Sequence, residues 1–183
     1  LKLSESSKRK HIELEAKVLH IADQIIVTSP STKLEFSKKT KQPIEVITNG
    51  YDVEKTEKRP LDQKFTLAHI GSFLSERNPR ILWKVLKELI KENEDFKADF
   101  QLKLIGIVSD EVMDAIQEFG LASYVNKINY LSHTASVAEQ RTSQVLLLVE
   151  SNSDETKAIL PGKLYEYMAS NRPILAIAND ESD

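Results

Sequence analysis

The sequence predicts an α/β fold built on a doubly wound parallel sheet, and three observations support this prediction. Short apolar runs alternate with amphipathic segments of roughly 10 to 15 residues, which is the pattern of βαβ units. The run Val145–Val149 is apolar at every position, as expected of a strand that is buried on both faces. Ser29-Pro30 combines a capping side chain with a Pro at the first helical position, which predicts a helix start between two such runs.

The first part of the chain is predicted to contain two helices and two strands, followed by a linker. In chain order these are a helix over residues 6–22, a strand over 24–28, the helix that Ser29 and Pro30 open, and a strand over 44–48. Residues 51–63 have almost no apolar content and no periodicity, which is typical of a linker.

Beyond the linker, strands and helices are predicted to alternate. The predicted strands cover residues 65–72, 100–107, 125–131, 144–149 and 173–178, and the predicted helices cover 79–93, 110–119, 134–142 and 162–170. Asn78-Pro79 and Ser109 are expected to open the first two of these helices, and Gly120 to end the second. We therefore expect three parts, residues 1–50, the linker 51–63 and an α/β domain over 64–183. The chain lacks an initiator Met and stops just after a strand, so we interpret it as an excerpt that cuts the fold at both ends.

Composition narrows the classes of function. The chain carries 25 Lys and Arg against 28 Asp and Glu, for a net charge of -3, whereas a nucleic-acid-binding domain more often has a clear basic excess. It contains no Cys, which excludes thiolate metal sites, Cys nucleophiles and disulfides. No apolar run approaches the roughly 20 residues of a membrane-spanning helix, and the first residues lack a signal-peptide pattern. We expect a cytoplasmic protein that does not bind nucleic acid.

The loop after the first strand of the larger domain is one candidate binding site, because ligands of open α/β sheets bind outside the carboxyl ends of the strands. Gly71 lets a ligand approach the backbone there, and the next helix offers N–H groups for an anion. Arg77 can add a charge-assisted contact to a phosphate. The alternative is an ordinary tight turn with a solvated Arg.

A second candidate loop precedes the helix over residues 162–170. Pro161-Gly162 predicts a sharp turn, after which the N–H groups of Gly162, Lys163 and Leu164 can point at an anion or a hydroxyl. Glu166 can accept hydrogen bonds from a vicinal diol such as a ribose. The alternative role for Glu166 is compensation of the helix dipole.

Other polar residues carry less information. His69 falls inside an apolar strand and is interpreted as a core imidazole, whereas His133 follows a strand on the expected ligand side. No pair of His has metal-ligand spacing, and no Ser, His and Asp set suggests a triad. Asp154-Glu155 is interpreted as a solvated loop rather than a catalytic pair.

Three stretches taken together resemble glycosyltransferase family 4. They are Ala22–Ser29 (ADQIIVTS), Ile47–Asp52 (ITNGYD) and Pro161–Ser170 (PGKLYEYMAS), the last followed by RPILA at Arg172–Ala176. The resemblance implies the GT-B architecture, in which two Rossmann-like domains face each other across a cleft, and a retaining mechanism. On this basis residues 1–50 would be the end of the acceptor-side domain, and residues 64–183 most of the domain that holds the sugar nucleotide.

The resemblance also implies roles for individual residues. Glu166 matches the second Glu of the family's Glu-x7-Glu motif, which accepts hydrogen bonds from ribose. Arg77 and Lys163 would be the catalytic cations, and the donor nucleotide would contact a set formed by Gly71, Ser72, Gly162, Lys163, Leu164 and Glu166. Two positions depart from the pattern: Ala158 replaces the first Glu, and Ser72 replaces the Arg that often follows the Gly. Ala158 removes a side chain expected to contact the sugar, and Ser72 removes a cation expected to contact the phosphates.

The expected function is therefore transfer of a sugar from a nucleoside-diphosphate sugar to an acceptor, with retention, in polysaccharide or glycan biosynthesis. No metal or other cofactor is expected, since the chain has no Asp-x-Asp motif. The partners would be the sugar-nucleotide donor and a glycan or lipid-linked acceptor held by the missing domain. The protein would be cytoplasmic, either free or peripheral at the inner face of the membrane, and this excerpt alone would be inactive. The alternatives are a GT-B-like sugar-nucleotide epimerase and a non-enzymatic doubly wound binding domain.

Overall fold

The structure is a computed structural model that describes residues 3–52, 59–151 and 156–179. The chain forms two compact units: the first contains the described residues up to Asn49 together with Lys157–Leu160, and the second contains the other described residues from Gly50 onwards. Residues 53–58 of the predicted linker and the pair Asp154-Glu155 lie outside the described residues. The assignment of domain roles to these parts stays a prediction.

The first unit is a small layer of helices on a two-stranded sheet. Its elements are α1 (Glu5–Ile21), β1 (Ile25–Val27), α2 (Pro30–Ser37) and β2 (Ile44–Val46). The strands pair in parallel, with Ile25 opposite Ile44, and both residues are buried in a core that includes Leu19. The Ser29 hydroxyl accepts a hydrogen bond from the Thr32 N–H, and Pro30 is the first helical residue, as the sequence predicts.

The second unit is a five-stranded parallel sheet between two layers of helices. Its strands are β3 (Phe65–Ile70), β4 (Phe100–Ile105), β5 (Val125–Ile128), β6 (Val145–Val149) and β7 (Ile174–Ile177). Its helices are α3 (Arg80–Glu92), α4 (Glu94–Asp99), α5 (Asp110–Glu118), α6 (His133–Thr142) and α7 (Gly162–Ala169), with short 3-10 turns at Ser75–Arg77 and Ala122–Tyr124. The strand order is β5-β4-β3-β6-β7.

This order makes the sheet doubly wound. The chain runs outward from β3 to β5 and then returns to the other side of β3 for β6 and β7. Each face carries its own core: Leu67 of β3 faces one cluster with Trp83, and its neighbour Ala68 faces another with Tyr167. The reversal between β3 and β6 is a topological switch point, and ligands of open α/β sheets bind in the crevice outside the strand ends at such a point. The predicted fold class is confirmed.

Several local predictions differ from the structure. Helix α3 begins at Arg80, so the prediction that Asn78 caps it is wrong. The Asn78 side chain instead accepts from the Trp83 indole at 2.7 Å and donates to the Glu111 carbonyl at 3.1 Å. Ser109 occupies the cap position of α5 but makes no capping hydrogen bond.

Helix α4 was absent from the sequence prediction, since it is only one and a half turns long. Its start is nevertheless capped, because the Asn93 side chain accepts from the Phe96 N–H at 2.9 Å. Within the described ranges, no helix combines the length and the apolar character needed to cross a bilayer.

Candidate functional site

Two glycines stand side by side where the central strands end. Gly71 follows β3 and Gly106 follows β4, with φ values of 116° and 107° that L side chains rarely adopt. A Cβ on Gly106 would lie 2.9 Å from the Gly71 carbonyl oxygen, so no larger residue fits without a backbone shift. The carboxyl ends of β3 and β4 are therefore bare backbone.

A cavity of about 270 Å³ opens beside these glycines. One part of its lining is formed by the ends of β3 and β4 and by the loop after β5, and the other part is formed by α6 and α7. The polar side chains that line it are Tyr130, His133, Ser136, Gln140, Lys163 and Glu166. This volume lies near the lower end of the range for small-molecule sites, roughly 300 to 1,000 Å³.

The Lys163 ammonium lies at the Gly71 end of the cavity. Its Nζ would be only 3.2 Å from a Cβ on Gly71, so the absence of a side chain at Gly71 makes room for the cation. Burial and the nearby charge of Arg77 lower the pKa of Lys163, and the charges of Glu150 and Glu166 partly offset this effect. Lys163 is therefore a poorly compensated cation, which favours an incoming anion.

The His69 ring supports Lys163 from the core. Its side chain is fully buried and stacks on Phe73 with 4.2 Å between ring centroids, which confirms its interpretation as a core imidazole. The Nε2 atom is 3.4 Å from Lys163 Nζ, and Nδ1 is 3.1 Å from the Leu147 carbonyl oxygen. Burial and the charge of Lys163 lower the pKa of His69 to about 3, so the ring is neutral at physiological pH.

Arg77 already has an acidic partner. It ends the turn Ser75–Arg77, and its guanidinium lies 3.3 Å from Glu150 Oε2. The other carboxylate oxygen of Glu150 is buried and has no hydrogen-bond partner among the described residues. Arg77 is thus close enough to affect the pKa of Lys163, but part of its charge is neutralised.

Glu166 is held by two polar side chains. Its Oε2 accepts from the buried Gln140 amide at 3.0 Å, and its Oε1 lies 3.3 Å from His133 Nε2. Helix α7 begins at Gly162, which places Glu166 beyond the first turn, where the effect of the helix dipole has largely faded. The arrangement therefore supports a hydrogen-bond acceptor facing the cavity more than dipole compensation.

The start of α7 contributes backbone groups. The N-cap is Pro161, which provides no capping side chain. The Leu164 N–H donates to the Pro161 carbonyl at 3.0 Å, and the Leu164 side chain packs beside buried Tyr167. In this conformation the amides of Gly162 and Lys163 are the donors that remain for an anion.

The structure brings some of the predicted site residues together. Gly71, Lys163 and Glu166 line one cavity, whereas the lining does not include Arg77, Ser72, Gly162 or Leu164. Ser72 is exposed, and its carbonyl oxygen lies 3.4 Å from His69 Nε2. The roles of these residues in binding stay predictions.

Sequence reasoning missed four residues of this region. Gly106 had a usable signal, because Ile105-Gly106 repeats the Ile70-Gly71 pattern at the end of the preceding strand. Gln140 and Glu150 carry no such sequence signal, since nothing local distinguishes them from other polar residues. The sequence predicts that Tyr130 lies inside a strand over residues 125–131, but β5 ends at Ile128. In the part of the chain that the structure describes, no group of three His, Asp or Glu is arranged to hold a metal.

Comparison with known proteins identifies the class of fold. No protein-family model and no curated protein sequence matches this chain. Among solved structures, this chain is similar to GT-B glycosyltransferases, and its fold is Rossmann-like. At the identities found, this likeness shows the fold alone.

Three of these structures define the likeness. WaaG, a glycosyltransferase involved in lipopolysaccharide biosynthesis, matches with a TM-score of 0.66 and 14% identity over 93% of this chain and 49% of its own. TarM from S. aureus, in complex with fondaparinux, alpha-GlcNAc-glycerol and UDP, matches with 0.63 and 16% over 97% and 34%. HepE from Anabaena, in complex with UDP and glucose, matches with 0.63 and 18% over 97% and 50%. The chain thus spans about a third to a half of the length of these structures.

Proposed function

We propose that this chain binds a nucleoside-diphosphate sugar and that the whole protein transfers the sugar to an acceptor. The observation that carries the proposal is the convergence of Gly71, Lys163 and Glu166 on one cavity outside the carboxyl ends of β3 and β4. The solved neighbours TarM and HepE hold UDP, which makes a nucleoside diphosphate the first ligand to test.

The cavity and the start of α7 beside it suit different parts of such a ligand. Glu166, held by Gln140, offers carboxylate oxygens to the two hydroxyls of a ribose. Lys163 and the first amides of α7 offer positive charge to the diphosphate. Departure of a nucleoside diphosphate develops negative charge on the leaving group, and preorganised donors at that point lower the barrier.

The finer assignments rest on the sequence resemblance. We propose membership of glycosyltransferase family 4, retention at the anomeric carbon, a hexosyl donor, a glycan or lipid-linked acceptor, and a role in polysaccharide or glycan biosynthesis. We also propose independence from metals and a cytoplasmic location, free or at the inner face of the membrane. Because the solved neighbours are two to three times as long, we propose that this chain alone binds the donor without transferring it.

Isothermal titration of the chain with UDP, ADP, GDP, uridine and inorganic pyrophosphate tests the proposal. We expect one nucleoside diphosphate to bind more tightly than its nucleoside and than pyrophosphate, with and without EDTA. Lys163→Met should weaken that binding, whereas Lys84→Met, at an exposed position of α3, should not. Absence of binding by every nucleotide at millimolar concentration would contradict the proposal.

Two measurements of turnover separate the alternatives. A sugar-nucleotide epimerase would convert the donor with no acceptor present, which chromatography of the nucleotide sugars would detect. A non-enzymatic binding domain would hold the nucleotide in the full-length protein without any turnover. No feature of the described residues specifically favours either alternative.

A further inference from the structure

The hydrogen bonds of His69 define which ring nitrogen carries the proton. A carbonyl oxygen only accepts, so the 3.1 Å contact with the Leu147 carbonyl requires a hydrogen on Nδ1. In the neutral ring, Nε2 then carries a lone pair and accepts. Lys163 Nζ, at 3.4 Å, is the donor that can use this lone pair, whereas the Ser72 carbonyl at the same distance cannot.

The surroundings of His69 keep the ring neutral and fixed. Burial and the adjacent Lys163 charge disfavour protonation, and stacking on Phe73 restricts rotation of the ring. The charged groups that act on Lys163 are Arg77 and Glu150 from other parts of the fold and Glu166 from the same helix. Within the described residues, Arg77, Glu150 and Glu166 make no hydrogen bond to the Lys163 ammonium. Its hydrogen-bond partner is the His69 imidazole.

The neutral His69 ring leaves the positive charge of Lys163 uncancelled. A carboxylate at the position of His69 would also orient the ammonium, but it would cancel the positive charge that an anion needs. A neutral imidazole orients the ammonium and leaves its charge intact. Gly71 completes the arrangement, because the side chain that it lacks would occupy the space beside Nζ.

We propose that His69 is a positioning residue, whose Nε2 atom holds the Lys163 ammonium at the Gly71 edge of the cavity, ready for a diphosphate. This inference rests on the proposed function, since it assigns the diphosphate to Lys163. It adds a role for a buried residue that lies behind the ligand and does not touch it.

A double-mutant cycle tests the proposal with the full chain. His69→Phe keeps the ring stacked on Phe73 but removes the acceptor, and we expect it to weaken UDP binding by about tenfold, the loss of a hydrogen bond to a charged group. Uridine affinity should not change, because uridine has no phosphate. In a Lys163→Met background, His69→Phe should cause no further loss. A loss that is equal for UDP and uridine, or that persists without Lys163, would overturn the proposal.

A conservative variant provides the rescue. His69→Gln carries an amide oxygen near the position of Nε2, so it should retain UDP affinity within about threefold of the parent chain. Thermal melting curves identify any variant that fails to fold. If His69→Phe does not fold, His69→Gln and His69→Leu form the pair to compare, and equal UDP affinities for those two would contradict the proposed role.

A measurement without nucleotide separates this proposal from the function on which it rests. The pKa of Lys163 can be followed by NMR after reductive methylation of the lysines, with Lys163→Met assigning the signal. A hydrogen bond to the charged form raises a pKa, so removal of the acceptor in His69→Phe should lower the pKa of Lys163. An unchanged pKa of Lys163 would overturn the positioning role even if UDP binds.

Discussion

Two lysines of the second unit, Lys103, which is buried, and Lys163, which is half-buried, have opposite electrostatic surroundings. Lys103, on β4, is 5% exposed and contacts Asp62 at 2.6 Å and Glu139 at 2.9 Å. Lys163, on α7, has the His69 ring as its recorded partner. The difference shows how a structural lysine can be told from a ligand-binding one. Carboxylates at contact distance neutralise the charge of a structural lysine, whereas a neutral partner leaves the charge available to a ligand.

The pKa values of the two lysines follow the same division. Burial lowers the pKa of Lys103, but its hydrogen bonds to Asp62 and Glu139 outweigh burial and raise the pKa overall. Burial also lowers the pKa of Lys163, where Arg77 adds to the effect and the more distant carboxylates only partly offset it. Burial lowers the pKa of both lysines, and their different partners therefore account for the opposite directions of the net shifts.

The network around Lys103 ties the end of the predicted linker to the sheet. Asp62 also accepts from the Thr66 hydroxyl at 2.8 Å, and its N–H donates to the Thr142 carbonyl at 2.8 Å. The Gln144 amide donates to the Asp62 carbonyl at 2.9 Å. These hydrogen bonds connect Asp62 to the lysine and to the backbone, and mutual pairing of this kind stabilises a buried polar network.

Substitution of each lysine by Met gives the largest expected difference. Lys103→Met leaves two carboxylates without their cation and should lower the free energy of unfolding by about 3 kcal/mol. Lys163→Met removes a poorly compensated charge and should cause no loss of stability. Urea denaturation of both variants measures the comparison. A similar loss of unfolding free energy in the two variants would show that the carboxylate contacts of Lys103 do not give it a larger role in stability than Lys163 has.

Alkaline pH provides a control for this prediction. The folded-state pKa of Lys103 is raised above its ordinary value of 10.5, so its stabilisation is fully present below that value and is lost as the pH rises through the raised pKa. The difference in stability between the parent chain and Lys103→Met should therefore persist at neutral pH and shrink in alkali. A difference that already disappears near neutral pH would contradict the raised pKa.

A second comparison concerns two glutamates, and its expected effect is smaller. Glu139 contacts the Lys103 ammonium, whereas Glu166 is held by the Gln140 amide and lies beside His133. Glu166→Ala should weaken uridine and UDP alike by about 1.5 to 3 kcal/mol, the range for hydrogen bonds to a charged group, and should leave the fold intact. Glu139→Ala should lower stability instead. Titration calorimetry and urea denaturation of both variants check this division, and unchanged nucleoside affinity in Glu166→Ala would remove Glu166 from the site.

The sequence was sufficient for the fold because its signals are local and repeated. Apolar runs and caps such as Ser29-Pro30 identify each strand and helix, and their alternation identifies a parallel sheet. Strand ends also locate the site, since Gly71 and the turn before Gly162 must lie at the carboxyl edge of that sheet. The errors fell where side chains make contacts across the fold: Asn78 binds Trp83 rather than capping α3.

The partners within the site could not be predicted for the same reason. His69 and Lys163 are separated by 94 residues, and Gln140 and Glu166 by 26. Nothing local in the sequence shows that a core imidazole meets a lysine of the last described helix. The type of a loop residue predicts the chemistry of its side chain. The contact that orients that side chain depends on the packing of elements that are distant in the sequence.

Arg77 is an intermediate case, and the smallest expected effect belongs to it. Its guanidinium is paired with Glu150, as Lys103 is with its carboxylates, but its side chain is 29% exposed and it acts on Lys163. Arg77→Ala should weaken UDP by about fivefold, a smaller loss than that of Lys163→Met, because a partly exposed and paired cation contributes little. Uridine affinity should not change.

Three further arms complete the test of Arg77. Arg77→Lys should recover only part of the loss, because an ammonium cannot reproduce the fork of a guanidinium. Glu150→Gln should strengthen UDP binding, since it frees the Arg77 charge for the diphosphate while keeping the size of the side chain. If protein groups rather than a metal balance the phosphates, EDTA should change none of these affinities. Equal losses of UDP and uridine affinity in Arg77→Ala would mean that Arg77 acts through the structure of its turn. Weaker UDP binding in Glu150→Gln would mean that the ion pair between Arg77 and Glu150 supports binding, rather than an unpaired Arg77 guanidinium.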